Sequence, residues 1–358
     1  MSSSFGRILK LSIFGESHSP AVGGVLEGLP AGSPIDLHKL RSFMLRRAPS
    51  AQAASTSRKE TDEIEFLSGL LNGKTTGTPL SFIIRNTDIR RDDYSKTASV
   101  PRPGHADYTG TAKYFGCSDH SGGGHFSGRL TAPLCCAGGI ALQQLEGENL
   151  RVSARIVRVG SVTDDSGFTE DVSGKAFPAV SDAAGSKMLE AIGQARAEGD
   201  SLGGIIECVM YGLPAGLGDP MFHGLENTIS QAVFAIPAVK GVEFGDGFAL
   251  SGLTGSRAND AFCANNGSIS HLSNHAGGIN GGISNGMPVV LRVAVKPTPS
   301  IASPQRSVDI ESMADTILSI SGRHDACIVP RAVPCVEAAC ALAILDAVLL
   351  RRSEVYGH

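Results

Sequence analysis

The chain has 358 residues, 42% hydrophobic and 18% charged, with 31 Lys and Arg against 35 Asp and Glu for a formal net charge of −4. That length can bury one large core or two ordinary ones without disulfides, and the charge balance excludes a broad basic surface for nucleic acid. Glycine accounts for 44 residues, about 12% against a usual level of roughly 7%, while Trp is absent, so many tight backbone turns are expected.

In chain order, alternation and short apolar runs predict strands at 8–13, 22–26, 64–67, 80–84, 205–211 and 289–295. Helical periodicity covers 36–47, where Leu37, Leu40, Phe43 and Met44 share a face, Asp36 is a natural N-cap, and Arg46 and Arg47 close the last turn. Further helices are predicted at 127–145, 183–197, 225–234 and 334–351; Pro133 must sit in the first turn of the first of these or kink it. Strands and helices are interspersed without the strict alternation of a doubly wound sheet, which predicts a mixed α/β (α+β) class with antiparallel pairing. The polar, Gly/Ser-rich segment 163–187 reads as a surface excursion within a single domain over 1–358. The longest apolar run, 338–350, is interrupted by Asp346, and on that ground no membrane span is expected. Eight cysteines form no C-x-x-C pair and no apolar signal segment follows the first residues, so reduced thiols in a cytoplasmic setting, without zinc or disulfides, are expected.

Exposed amides on glycine loops bind anions without needing a side chain, and two stretches suit that use. Ser121-Gly122-Gly123-Gly124-His125-Phe126-Ser127-Gly128-Arg129 leads into a predicted helix, whose positive end would face the same ligand. Asn274-His275-Ala276-Gly277-Gly278-Ile279-Asn280-Gly281-Gly282 precedes a strand that ends in Lys296, Pro297, Thr298, Pro299 and Ser300, an ammonium beside two hydroxyls. Both stretches suit plain turns equally well. Neither is a dinucleotide fingerprint, and the Gly69–Thr75 region fails the spacing of a nucleotide P-loop.

His18, His105, His125 and His324 each stand beside Gly, Ser, Arg or Asp and are candidates for proton transfer. His271 and His275 are four apart, but the intervening Ser273 and Asn274 and the following glycines argue against a metal-binding helix, so no metal is expected. Gly322-Arg323-His324-Asp325 joins a cation, a titratable ring and a carboxylate; a surface ion-pair cluster is an equal reading. Arg46 and Arg47 complement the dipole of their helix, and Cys135-Cys136 reads as core.

The combination is more specific than its parts. Phe14-Gly15-Glu16-Ser17-His18, Arg46-Arg47, Arg58-Lys59-Glu60-Thr61-Asp62, Gly73-Lys74-Thr75-Thr76-Gly77-Thr78-Pro79, Arg102-Pro103-Gly104-His105-Ala106-Asp107-Tyr108, Ser273-Asn274-His275-Ala276-Gly277-Gly278, Lys296-Pro297-Thr298 and Gly322-Arg323-His324-Asp325 follow one another in this order. Over residues 5–351 the chain thereby resembles the chorismate synthase family. The resemblance implies a lyase of the shikimate pathway, serving aromatic amino acid biosynthesis. Its reaction is a 1,4-anti elimination of phosphate from 5-enolpyruvylshikimate-3-phosphate, requiring reduced FMN without net redox change. It further implies one β-α-β sandwich, with antiparallel sheets in the middle and helices outside, assembled as a homotetramer. A link to NADP belongs to the same picture, yet no nicotinamide fingerprint stands in the chain, so an external flavin reductant is expected.

Carried over residue by residue, His18 resembles the histidine that protonates the leaving phosphate and His105 the one that keeps the reduced flavin properly protonated. Asp325 matches the aspartate that helps remove the ring hydrogen. Ser17 and Ser127 match serines near substrate and flavin. Arg47 and Arg129 fall on the substrate side; His125, Phe126, Ser127, Pro237, Ala238, Gly281, Lys296, Pro297, Thr298, Pro299, Ser300 and Arg323 fall on the flavin side. The chain departs from the pattern at Ser19, where the family has glycine, at Ala48 and Ala53, where it has arginine, and at His125 and Phe126, which replace an arginine and a serine. A protonated His125 would restore one cation, and with an ordinary pKa of about 6.5 that would make substrate affinity fall above neutrality. A catalytically impaired flavin- or phosphosugar-binding relative is the alternative. Retention of His18, His105 and Asp325 speaks for the enzyme, since a pure binder gains nothing from three proton-transfer groups.

Overall fold

The computed structural model describes residues 3–48, 62–87, 99–119, 121–167, 171–265, 267–320 and 325–354. Seven helices are found among them: α1 (Leu37–Arg47), α2 (Asp107–Lys113), α3 (Thr131–Glu146), α4 (Asp182–Ala197), α5 (Leu225–Phe234), the single turn α6 (Gly255–Ala258) and α7 (Val329–Glu354). One antiparallel sheet runs in the order Ser4–Phe5, Lys10–Gly15, Ala21–Glu27, Leu80–Arg85, Ile64–Ser68. A second runs Val239–Phe244, Val289–Val295, Gly204–Tyr211, Arg151–Val159, Val162–Thr163, also antiparallel.

The mixed class and the antiparallel pairing are as the sequence implies. The layering differs from the expectation of sheets in the middle and helices outside. α3 and α7 pack on each other most extensively; α3 touches strands of the first sheet and α7 strands of the second, so this pair is the central layer. The cause lies in the sequence of α7: residues 335–346 are buried without interruption, and a helix apolar on every side has nowhere to go but the interior. Each fully buried Leu or Ile there, such as Leu342 and Ile344, contributes about 1.5–3 kcal/mol of burial. α4 meets the expectation. It lies against Arg151–Val159, where five consecutive residues, 152–156, are buried, so both faces of the second sheet are covered.

By length and composition α7 is able to cross a membrane, and Asp346 does not prevent it; 89% of its most apolar window is buried against the rest of the chain. Asp346 is satisfied inside, its carboxylate accepting from the amides of Arg7, Ile8 and Leu9 at 2.8–2.9 Å. Glu337, one turn into the buried stretch, accepts two bonds from the Arg46 guanidinium at 2.6 and 3.0 Å and one from the Ala154 amide. Buried charge is tolerated because every such oxygen has a partner. Asp36 caps α1 as predicted, accepting from the amides of His38 and Lys39, and Pro133 lies in the first turn of α3. α7 begins at Val329, five residues before the expected start, with Pro334 inside it.

Candidate active site

A cavity of about 650 Å³ opens where the loop before α3, the start of α7, the turn after α5 and the segment after Val289–Val295 meet. Its size is that of a small-molecule or cofactor site. Among the predicted residues it is lined by Arg47, His105, His125, Phe126, Ser127, Arg129, Pro237, Ala238, Lys296, Thr298, Pro299, Ser300 and Asp325. Two of the predicted flavin residues stand elsewhere. Gly281 is exposed in the hairpin turn between Ile279–Asn280 and Ile283–Ser284, and Pro297 packs over Gly203. Arg323, like His324 and Ala53, lies outside the described residues.

The glycine loop is shaped by what lies behind it. Gly122, Gly123 and Gly124 all have positive φ, 66°, 112° and 52°. A Cβ on Gly122 would stand 2.1 Å from the His18 ring and 2.8 Å from the Ser17 hydroxyl, so only glycine fits there. His18 is 1% exposed and, with Ser17, sits directly beneath Gly122 rather than on the cavity surface. The Ser17 amide donates to Gly124 O at 3.0 Å, fixing loop and strand end together. Ser127 caps the turn that follows, its hydroxyl accepting from the Arg129 amide.

The floor is a shared ion cluster. Arg47 donates to Asp62 Oδ2 through Nε (3.1 Å) and Nη2 (2.5 Å), and to the Thr131 hydroxyl through Nη1 (3.1 Å). Arg129 donates to the other oxygen of Asp62 and, through Nε, to Asn86 Oδ1 at 2.7 Å. One carboxylate between two guanidiniums leaves a net positive charge beneath the cavity. Burial opposes the charge on Asp62, but Arg47 and Arg129 outweigh it and hold the carboxyl below its usual range. Arg46 and Arg47 therefore do more than complement a helix dipole: adjacent in sequence, one joins α1 to Glu337 of α7 and the other joins the cavity to Asp62.

His105 is held by a carboxylate. Its Nδ1 is 2.6 Å from Asp107 Oδ1, and Asp107 also accepts from Arg102 through the backbone amide (2.9 Å), Nε (2.7 Å) and Nη2 (2.7 Å). Since carboxylates accept and guanidiniums only donate, we assign the proton on Nδ1 to the Asp107 bond, leaving Nε2 beside Gly123 of the loop. Burial opposes ionisation of Asp107, yet the Arg102 and His105 hydrogen bonds hold its carboxyl well below the ordinary value. His125 is different: Nδ1 meets Gly15 O at 2.8 Å and Nε2 meets the Ser3 hydroxyl at 2.9 Å, so both ring nitrogens are engaged by the protein.

Asp325 Oδ2 accepts from Arg331 Nη1 at 2.5 Å, and Arg331 Nε donates to Arg47 O at 3.0 Å, tying the start of α7 to the floor. Ala238 adopts φ 73°, a strained conformation for a side-chain-bearing residue, and its carbonyl accepts from the Lys296 amide. The Thr298 hydroxyl is buried with no protein partner, on the cavity wall. Among the described residues no group of His, Cys, Asp or Glu converges to hold a metal ion. Such an arrangement can neutralise a phosphate and a carboxylate while offering an imidazole and a carboxylate for proton transfer.

The family model described as "Chorismate synthase" matches residues 9–349. The chain belongs to the chorismate synthase family. Relatives named chorismate synthase from Lancefieldella parvula and Thermococcus kodakarensis are each 46% identical to it, over 100% and 97% of this chain and 99% and 98% of their own lengths. A crystal structure of a chorismate synthase superposes with a TM-score of 0.77 at 27% identity, covering 97% of this chain and 93% of that one. Within this family of lyases, the chain's own departures take a definite form. Ala48 is fully buried as the C-cap of α1, and His125 spends both nitrogens on Gly15 and Ser3. The residues that sequence reasoning passed over as site components are Asp62, Arg102, Asp107, Lys240 and Arg331. Asp62, Arg102 and Asp107 stood inside quoted motifs, and the spacing of Arg102, His105 and Asp107 was the available signal.

Proposed function

We propose that this chain catalyses the 1,4-anti elimination of phosphate from 5-enolpyruvylshikimate-3-phosphate to chorismate, with reduced FMN held in the same cavity. The observation that carries this reading is the convergence of His105, Asp325 and the cations Arg47, Arg102, Arg129 and Arg331 on one cavity. The residues present fit a flavin: the partnerless buried hydroxyl of Thr298 calls for a ligand, and Phe126, 38% exposed, offers an aromatic ring on the wall of the same cavity. Phe126, Pro237, Ala238, Lys296, Thr298 and Ser300 would hold it. Bound there, reduced flavin supplies electron density to the allylic system as phosphate departs and recovers it as hydrogen leaves.

The rest is the work of this chain's side chains. Arg47 and Arg129, fixed by Asp62, and Arg102, fixed by Asp107, present charge that needs no reorganisation when a phosphate dianion arrives. His105, oriented through Nδ1, holds or moves a proton at Nε2. Asp325 is the carboxylate available to take up the ring proton, and Arg331 holds it in place. His18 lies under the Gly122 turn, so its part in protonating the leaving phosphate is exerted across that turn and not from the cavity surface. Ser17 and Ser127 position the loop on either side of that turn. A homotetramer, a cytoplasmic location and an external, NADPH-linked flavin reductant belong to the same reading, as does a single catalytic domain.

The test is an anaerobic assay with dithionite-reduced FMN and 5-enolpyruvylshikimate-3-phosphate, following chorismate absorbance and phosphate release together. Equal rates that vanish without reduced flavin are expected. Binding of flavin and substrate with neither product formed would replace this reading with that of a binding-only relative.

A further inference from the structure

Cys335, near the start of α7, is a wall residue of the cavity, and the thiol of Cys135 on α3 donates to its sulfur at 3.7 Å. Nothing in the reaction above uses either. The two helices approach unusually closely here: three residues further along each, a Cβ on Gly138 would stand 2.3 Å from that of Ala338. The sulfurs must close to about 2.05 Å to bond, a change within reach of side-chain rotation on helices already this near. The surroundings select one of the two as nucleophile. The hydrogen bond from Cys135, then the charge of Arg47, the Thr131 hydroxyl and the charge of Arg331, favour a thiolate at Cys335 against its burial, whereas burial pushes Cys135 up.

The other cysteines give the contrast. Cys208 and Cys340 also pair, but neither lines the cavity, and the charges near Cys208 are those of Glu337 and Glu207, which disfavour a thiolate. Cys136 is buried and its thiol is pushed up by that burial alone; Cys327 is pushed up to about 12, chiefly by burial.

We propose that Cys335 and Cys135 form an oxidisable dithiol in the wall of the active-site cavity, closed to a disulfide by a hydroperoxide and reopened by a thiol reductant. In the first step the Cys335 thiolate attacks the peroxide; the O–O bond breaks, sulfur is oxidised to a sulfenic acid, and the leaving oxygen takes a proton as water. In the second, Cys135 sulfur attacks the sulfenic sulfur, the S–O bond breaks, and hydroxide leaves with the Cys135 proton as a second water. Two thiols and one hydrogen peroxide give one disulfide and two waters. This chemistry depends on the cavity wall and not on the reaction assigned to the cavity. Its consequence reaches the anion clamp in two contacts, since Cys335 neighbours Thr131 and Thr131 accepts from Arg47.

The experiment exposes the full-length reduced protein, anaerobically, to stoichiometric hydrogen peroxide, then blocks remaining thiols under acid denaturation and maps tryptic peptides. The expected result is loss of two of the eight thiols, with peptide 130–151 joined to peptide 332–351, fragmentation placing the bond at Cys135 and Cys335, and full reversal by dithiothreitol. Closure is expected to be complete before any loss of Cys208 or Cys340, neither of which lines the cavity. In Cys335→Val the cross-link is absent and Cys135 stays reduced. Oxidation confined to Cys117, a bond at Cys136 or Cys340 in place of Cys335, or Cys135 lost as fast in Cys335→Val as in the unaltered protein would overturn the proposal.

Discussion

His105 and His125 line the same cavity, yet their ring nitrogens meet different fates. His105 gives one nitrogen to a carboxylate that Arg102 has already fixed and keeps the other toward the glycine loop; His125 gives both to the protein, one to a carbonyl and one to a hydroxyl. A histidine is available for chemistry according to how many of its nitrogens the fold consumes, not according to its nearness to a pocket. His125 is on this account a wall residue, whereas Arg102 and Arg331, which line the same cavity, are both anchored by carboxylates.

Removing the ring of His105 gives the largest effect: His105→Ala lowers kcat about 10²–10⁴-fold, the usual weight of a proton-transfer group, with thermal unfolding unchanged to show that the fold persists. Asp107→Asn keeps the ring and loses its orientation, costing about a hundredfold in kcat and altering the pH profile of kcat/KM, which a merely structural role would leave alone. The same variant sharpens the picture in acid. Asp107 has a folded pKa below its unfolded value of about 3.9, so its stabilisation is complete above that pH and is lost as pH falls toward the folded value. Melting temperature should therefore fall less steeply below about pH 4 in Asp107→Asn than in the unaltered protein. The smallest effect belongs to His125→Gln, within about threefold in KM, with KM flat from about pH 6.5 to about 8.5 in the parent enzyme. A KM that climbs through that window and flattens in His125→Gln would make His125 a substrate cation after all.

Much of the fold was legible because it is written locally. The strand Val289–Val295 and the helix Leu225–Phe234 have the bounds their periodicity predicts, and Asp36 caps α1 through its own neighbours. What failed was long-range. Arg151–Val159 was missed because its arginines break the apolar pattern, and only the fold supplies Glu207, which accepts from Arg155 at 2.8 and 3.0 Å. The placement of α3 and α7 between the sheets follows from burial on all sides, a property that composition hints at and only packing decides. Asp346 looked like a polar break in a core run and is instead a fixed acceptor for three amides of the turn between the first two strands.

The site divides in the same way. Motif order brought His105, Ser127, Arg47, Arg129 and Asp325 to one cavity. It could not tell that His18 lies beneath Gly122 and not on the surface, because that depends on a glycine a hundred residues away with no Cβ to block the ring. Nor could it show that Asp62 serves two arginines, or that Cys335 lines the cavity.

The most direct measurement compares the parent enzyme, His105→Ala and His125→Gln side by side under anaerobic conditions with reduced FMN, recording chorismate formation and phosphate release in each. The account predicts equal, flavin-dependent rates in the parent, near-abolition in His105→Ala and near-parent rates in His125→Gln. Parent-like turnover in His105→Ala, or collapse in His125→Gln with flavin and substrate still bound, would contradict it.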